Sequence, residues 1–338
     1  MKKIKIAFFE TEDWEIDYLK PRLKDFNLLF FKGKLNSRNL KKISNINILS
    51  PFIYSKIDKK IINSLKSLKY ITTRSTGFDH IDLKACKLRN ILVSNVPTYG
   101  ANTVAEHTFA LILTLSRKIY PSLERTKKGN FSLKNLRGFD LKGKTLGVVG
   151  VGNIGRYVVK IARGFEMNVL AYDIKKDQKF AKKIGFKYVS LNSLFKNSDI
   201  ITFHIPYNKS THHLVNSKTL KQFKKDCYLI NTARGGICET TALLEGLKKG
   251  IFAGLALDVL EEECFIKEER ELLSSCFWKS CDLKTILANH ILINQPNVII
   301  TPHNAFNSQE ALTRILETTI ENIKSFSQGK PINLVRKK

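Results

Sequence analysis

Six residues, Gly150-Val151-Gly152-Asn153-Ile154-Gly155, carry the plainest chemistry in the sequence. They follow the β-rich run Thr145-Leu146-Gly147-Val148-Val149 and open a helical pattern that reaches Phe165. A strand, a glycine turn and a helix in that order form a phosphate cradle. Gly150 permits the tight turn, Gly152 lets the backbone approach a pyrophosphate, and Gly155 lets helix and strand pack closely. The free N–H groups and the dipole at the helix start then stabilise the phosphates. Asp173 closes the next strand, 23 residues after Gly150. A carboxylate there accepts hydrogen bonds from both ribose hydroxyls and repels a 2′-phosphate, which favours NAD over NADP. Lys175 and Lys176 beside it pull the other way.

Other chemistries find less support. Cys86, Cys227, Cys238, Cys264, Cys276 and Cys281 are scattered without a CxxC pair, so a disulfide framework or zinc site is not expected. No histidine cluster has metal-ligand spacing, and no Ser or Cys sits in a nucleophile motif. The expected metal is none. His204, His212 and His213 flank the cofactor side and read as positional or exposed. His80, His107 and His290 read as structural.

The elements that must hold the glycine run form two α/β series. In the first hundred residues Ile4–Phe9, Leu28–Phe31, Ile46–Ser50, Tyr70–Thr73 and Ile91–Ser94 read as strands. Between them, Ile57–Leu68 and Asp79–Leu88 have helical spacing, with Asp79 as the expected N-cap of the second. After Pro97 a long helix is expected over Asn102–Lys118, with Glu106 in its first turn. A polar, glycine-containing stretch (Lys127–Lys144) precedes the second series. Its strands are expected at Thr145–Val149, Asn168–Tyr172, Ile200–Phe203, Cys227–Asn231, Phe252–Leu257 and Val298–Thr301. A helix from Ser308 to Gln328 closes the chain. Alternation of this kind predicts parallel sheets covered on both faces.

At 338 residues the chain is long enough for two domains with separate cores. Its 43% hydrophobic content is that of an ordinary globular protein, and no apolar run spans a bilayer. The N-terminus reads as an amphipathic strand rather than a signal peptide, so a cytoplasmic location is expected. The net charge of +27 suggests nucleic acid at first sight. The lysines are nevertheless spread over the whole chain without a basic stripe or a nucleic-acid motif, so no nucleic-acid or membrane partner is expected. The charge still favours anionic substrates.

Four further segments make a family resemblance specific: Arg74-Ser75-Thr76-Gly77-Phe78-Asp79, Asn231-Thr232-Ala233-Arg234-Gly235-Gly236, Gly254-Leu255-Ala256-Leu257-Asp258-Val259 leading into Glu261-Glu262-Glu263, and Thr301-Pro302-His303-Asn304-Ala305-Phe306. In order and spacing the chain resembles the D-isomer-specific 2-hydroxyacid dehydrogenases, with a lean toward D-lactate-dehydrogenase-like members. The resemblance implies a catalytic arginine at Arg234, its acidic partner at Glu263 and an acid/base histidine at His303. It also implies cofactor contacts at Asn153, Ile154, Ile205, Pro206, Thr211, Thr232, Ala233, Arg234 and Asp258. The substrate carboxylate is expected on the backbone N–H groups of Ser75, Thr76 and Gly77, with Arg234 and His303, and Tyr99 lines the pocket. Cys264 stands where the family usually has Pro, and residues 265–295 form a longer segment than in compact members. Both departures bear on the register of Glu263.

The fold that follows is α/β, with two doubly wound parallel-sheet domains. A Rossmann NAD-binding domain (99–304) is inserted into a flavodoxin-like substrate domain (1–98), to which a C-terminal helix (305–338) returns. The resemblance implies an active site in the interdomain cleft and a homodimer formed through the Asn102–Lys118 helix. The implied activity is NAD-dependent hydride transfer between a small D-2-hydroxy acid and its 2-oxo acid, with D-lactate and pyruvate as the first expectation. Phosphite, phosphoglycerate and glycerate oxidation remain alternatives within the family. Formate oxidisers carry Gln where Glu263 falls. Outside the enzyme class, a non-catalytic NAD-sensing protein and a basic nucleic-acid binder are the rivals.

Overall fold

Period-two alternation of apolar side chains builds both sheets in a computed structural model that describes residues 3–262 and 282–335. In strand β1 (Lys5–Phe9), Ile6 and Phe8 enter one core while Ala7 and Phe9 enter the other. Strands β2 (Asn27–Phe31), β3 (Ile48–Ser50), β4 (Tyr70–Thr72) and β5 (Leu92–Ser94) complete a five-stranded parallel sheet of order β2-β1-β3-β4-β5. The closing helix, Gln309–Ser327, covers one face of it. Leu316, Ile320 and Ile323 join Ile6, Phe8, Ile48 and Tyr70 in one core, and Tyr70 stacks on Phe326 at 4.2 Å. Asn322 pins that helix from within, donating to Thr72 Oγ1 and the Asn95 carbonyl.

The second sheet has seven parallel strands: β6 (Thr145–Val149), β7 (Asn168–Tyr172), β8 (Lys187–Tyr188), β9 (Ile200–Phe203), β10 (Cys227–Asn231), β11 (Phe252–Leu257) and β12 (Val298–Ile300). Their order is β12-β11-β10-β9-β6-β7-β8. The direction of winding therefore reverses between β6 and β9, the switch point at which open α/β sheets bind ligands beyond the carboxyl ends of their strands. The five-stranded sheet has the flavodoxin-like order, and the seven-stranded sheet is a Rossmann sheet with one added strand. Chain contacts divide the molecule into one unit of residues 1–99 with 308–338 and another of residues 100–307.

Several local expectations change. The helix expected from Asp79 spans Leu83–Leu88, and its N-cap is Asp82, whose carboxylate accepts from the Ala85 N–H. Ile81 is held extended by a bridge to Ile57, which delays the helix by a turn. The helix between β3 and β4 shortens to Lys59–Ser64, capped by Asp58. The long helix spans Ala101–Ser116, which puts Glu106 in its second turn, where it accepts from Asn102. Lys118, at φ 52°, breaks that helix, and a separate one follows over Ile119–Lys127.

Candidate active site

One row of register-matched residues sets the whole constellation in the 100–307 unit. Tyr172, Val149, Phe203, Asn231, Leu257 and Ile300 pair in succession across β7, β6, β9, β10, β11 and β12. The residues one step further along each strand are Asp173, Gly150, His204, Thr232, Asp258 and Thr301. Six chain segments far apart in sequence thus leave the sheet along a single edge. Arg234 and His303 each come three residues after that row.

At the switch point Gly150 adopts φ 96°, and its N–H donates to the Tyr172 carbonyl. A Cβ there would sit 2.5 Å from the His204 carbonyl oxygen and 2.7 Å from Ile205 Cγ2. A Cβ on Gly155 would lie 2.0 Å from the Gly150 carbonyl oxygen, so the close approach of turn and helix requires glycine there too. Gly152 differs. It caps the Asn153–Gly164 helix, and a Cβ on it would meet nothing within 4 Å. That open space over the N–H groups of a helix start suits a pyrophosphate. Asp173 Oδ2 accepts from the Val151 N–H at 2.7 Å and Oδ1 from Lys175 N–H at 2.8 Å, which fixes the carboxylate beside the glycine turn. Each oxygen keeps a lone pair for a ribose hydroxyl. These residues fit a dinucleotide.

The segment after β9 frames the turn. Thr211 Oγ1 donates to the Pro206 carbonyl and accepts from the Asn208 N–H, closing a compact loop. His204 lies under the glycine turn, bonded to Thr202, and burial pushes its imidazole down to about 3, so it is neutral at working pH. After β10, Thr232 Oγ1 pairs with Thr108 of the Ala101–Ser116 helix at 3.1 Å. Asn231 bonds the Ala233 N–H and the Arg234 carbonyl, shaping the turn that carries Arg234. One Arg234 terminal nitrogen donates to the Ala233 carbonyl at 2.7 Å.

Asp258, expected as a cofactor contact, anchors the turn after β12. Its side chain is fully buried, and its oxygens accept from Thr301 Oγ1 and from the N–H groups of Asn304 and Ala305, while its own carbonyl accepts from the His303 N–H. His107 Nε2, from the Ala101–Ser116 helix, approaches Asp258 Oδ1 to 3.4 Å. Burial pushes this carboxyl up, but the bonds from His107, Thr301, Asn304 and Ala305 together outweigh it and hold the group below its ordinary range. His303, at φ 53°, sits in the turn wrapped around this carboxylate. The sequence alone does not mark His107, Thr108 or Asn231 as site residues. Only the register that brings three distant segments together would have marked them.

Glu263 lies outside the described residues. Glu261, two residues before it, is described and its side chain is largely buried. Oε1 faces His213 Nε2 at 2.5 Å, and Oε2 accepts from the Thr240 N–H and hydroxyl.

In the unit of residues 1–99 and 308–338, Ser75 Oγ donates to the Gly77 carbonyl at 2.6 Å, and Thr76 Oγ1 donates to the Val96 carbonyl. Beneath this loop the guanidinium of Arg74 is buried and donates to the carbonyls of Phe9, Glu10 and Ser50, which joins the ends of β1, β3 and β4. The Tyr99 carbonyl accepts from Arg314 Nε. Among the described residues no group of His, Cys, Asp or Glu could hold a metal ion, and no helix is long and apolar enough to cross a membrane.

Comparison with known proteins agrees with this geometry. The family model for the NAD-binding domain of D-isomer-specific 2-hydroxyacid dehydrogenases matches residues 109–305. A D-lactate dehydrogenase of Escherichia coli is 33% identical over 330 residues, 96% of this chain and 98% of that protein. Among solved structures, the pyruvate reductase of Chlamydomonas reinhardtii superposes with a TM-score of 0.88 at 34% identity, covering 98% of both chains. A D-lactate dehydrogenase from Aquifex aeolicus, complexed with NAD and lactic acid, gives 0.84 at 37% identity over 96% of both. With a glycine turn, a fixed carboxylate and a switch point that fit a dinucleotide, the chain belongs to the D-isomer-specific 2-hydroxyacid dehydrogenase family of NAD-dependent oxidoreductases.

Proposed function

We propose that this dehydrogenase interconverts pyruvate-sized 2-oxo acids and the corresponding D-2-hydroxy acids, with pyruvate and D-lactate as its best pair. The observation that carries the reading is the common sheet edge from which the glycine turn, Arg234 and His303 all depart. The relatives named for D-lactate and pyruvate chemistry support the choice of acid. Held by Gly150, Gly152, Asn153, Ile154, Gly155 and Asp173, NAD supplies the hydride donor or acceptor. Ile205, Pro206, Thr211, Thr232 and Ala233 complete its setting.

The chain's own residues do the rest. Arg234 offers a planar fork of donors that matches the carboxylate and carbonyl oxygens of a 2-oxo acid. His303 gives a proton to the carbonyl oxygen in reduction and takes it back in oxidation, as an imidazole can near neutral pH. Glu263 retains the role of orienting that imidazole and favouring its charged form. The family pattern assigns the substrate carboxylate to the N–H groups of Ser75, Thr76 and Gly77 and a pocket wall to Tyr99. Asp258 acts by building the turn that carries His303.

A homodimer and a cytoplasmic location belong to the same proposal. The Ile119–Lys127 helix buries none of its residues and presents Ile119, Tyr120 and Leu123, with Phe131 and Leu133 exposed in the following loop. Large apolar side chains exposed within one short segment are the kind of surface that association covers.

The deciding experiment follows NADH oxidation with pyruvate, glyoxylate, hydroxypyruvate, 2-oxoglutarate and branched 2-oxo acids, with phosphite and NAD run beside them. The expected outcome is turnover of pyruvate with D-lactate as the only enantiomer formed. No turnover of any 2-oxo acid, or a higher kcat/KM on phosphite, overturns the reading.

A further inference from the structure

We propose that His213 and Glu261 form a clamp that positions Arg234, and that the clamp rather than the arginine's own turn sets where its guanidinium meets the substrate. The inference rests on the reading of Arg234 as the substrate-anion residue and adds two positioning residues to it.

The turn that carries Arg234 is weak by itself. Two glycines follow the arginine, and such a pair is conformationally permissive. Here it is hemmed in on both sides. A Cβ on Gly235 would stand 2.1 Å from the carbonyl carbon and oxygen of Leu260, and one on Gly236 would stand 2.6 Å from the Tyr207 ring. The segments that close in on the glycines come from two other strand exits, 204–213 after β9 and 258–262 after β11. A side-chain pair joins those segments, His213 Nε2 with Glu261 Oε1 at 2.5 Å.

Each half of the pair is tied down further. The His213 N–H donates to the Gly236 carbonyl at 2.8 Å, so the same residue grips both the arginine turn and the carboxylate. His213 holds φ 47°, a left-handed conformation that costs a non-glycine residue and persists only where its surroundings enforce it. Its ring stacks on His212 at 3.7 Å, and His212 Nδ1 bonds the Tyr207 hydroxyl at 3.0 Å, which steadies the ring lying against Gly236. On the other side the second Glu261 oxygen accepts from the N–H and hydroxyl of Thr240, at the start of the Thr240–Lys248 helix, and the Glu261 carbonyl accepts from Asn289. The Glu261 side chain is only 12% exposed. A carboxylate with three donors and so little solvent is a fixed post.

Two-point binding of a carboxylate by a guanidinium tolerates little displacement, and a misplacement of about 1 Å can cost about 10²-fold in rate. Opening the clamp frees the Gly235–Gly236 hinge and moves Arg234, while the glycine turn on β6 and Asp173 on β7 are left as they were.

The test uses the full chain and the variants H213L, which removes the donor to Glu261, and H213Q, which keeps one. For H213L we expect the KM for pyruvate to rise about tenfold or more and kcat to fall, with NADH affinity by fluorescence titration within about twofold of wild type. H213Q should recover most of the loss. Amide hydrogen exchange at residues 235–238 should quicken in H213L, while exchange at 153–156 stays unchanged. Wild-type pyruvate kinetics and wild-type exchange in H213L would overturn the clamp, as would a loss of NADH affinity equal to the loss in pyruvate KM. Should H213L fail to fold, E261Q, which keeps the shape and removes the charge, replaces it in the same comparison. A wild-type chain that reduces no 2-oxo acid would sink the functional reading alone, because the exchange measurement still decides the clamp.

Discussion

In the proposed reaction Arg234 and His303 meet the substrate, and Asp258 builds the turn that carries His303. Loss of a positioned acid/base group typically costs about 10² to 10⁴ in rate. His303→Ala should therefore lower kcat by that order with NADH affinity unchanged, and near wild-type steady-state rates would remove His303 from the mechanism. Asp258 acts one step back. Asp258→Asn turns an acceptor toward a donor among the N–H groups of Asn304 and Ala305, a mismatch that costs about 1 to 3 kcal/mol at a buried site. The sign of the pH dependence follows from the depressed carboxyl. Its stabilising effect is complete above the ordinary value of 3.8 and is lost as pH falls through the lower folded value. Thermal melts should thus show a stability gap between wild type and Asp258→Asn that is constant near neutral pH and narrows below pH 3.8. A gap that stays constant down to pH 2 would mean the carboxylate charge is not what the turn requires.

At the scale of the element, the glycine turn separates binding from folding in two substitutions. Gly152→Ala puts a methyl where the structure has nothing within 4 Å, on a residue with φ −75°, so the variant should fold with an unchanged melting temperature. The methyl then stands over the helix start, and NADH affinity should fall about tenfold or more, as expected when backbone can no longer approach a pyrophosphate. Gly155→Ala drives its methyl to 2.0 Å from a backbone oxygen that cannot move aside and should lower the melting temperature instead. Equal effects of the two on melting and on NADH affinity would contradict the division. The contrast also shows why this turn was legible from the sequence: its glycines stand at fixed offsets within one short segment, with Gly150 and Gly155 demanded by local sterics and Gly152 by the approach of a pyrophosphate. Most strands were legible for the same reason, since β-rich runs such as those of β1 and β10 are local patterns, whereas the two residues of β8 (Lys187–Tyr188) are too few to form one. Asp82 was not, because the bridge from Ile57 that delays the helix comes from another segment. Glu261 was not either. In the sequence it is one of three adjacent carboxylates, and only its pairing with His213, 48 positions away, distinguishes it. His107 reads as structural in the sequence, and its approach to Asp258 gives that structural role a target.

At the scale of the whole molecule, charge and apolar surface oppose each other. A chain with a net charge of +27 repels a second copy, so self-association must rest on buried apolar area rather than on ion pairs. The surface suited to it is the Ile119–Lys127 helix and the loop beyond it, which Arg125 folds back by donating to the Ser132 and Lys134 carbonyls. Phe131 and Leu133 are 78% and 83% exposed there, an arrangement that an isolated chain gains nothing by keeping. Light scattering should give twice the chain mass, and added salt should strengthen the dimer, because screening weakens the repulsion between copies while leaving the apolar contact intact. Leu123→Glu combined with Phe131→Glu should yield a monomer whose melting curve starts lower only to the extent that dimerisation stabilises the native state. A wild-type chain that is monomeric at every salt concentration would leave that helix and loop without the partner proposed for them. A dimer that dissociates as salt is raised would place the contact on charged groups elsewhere.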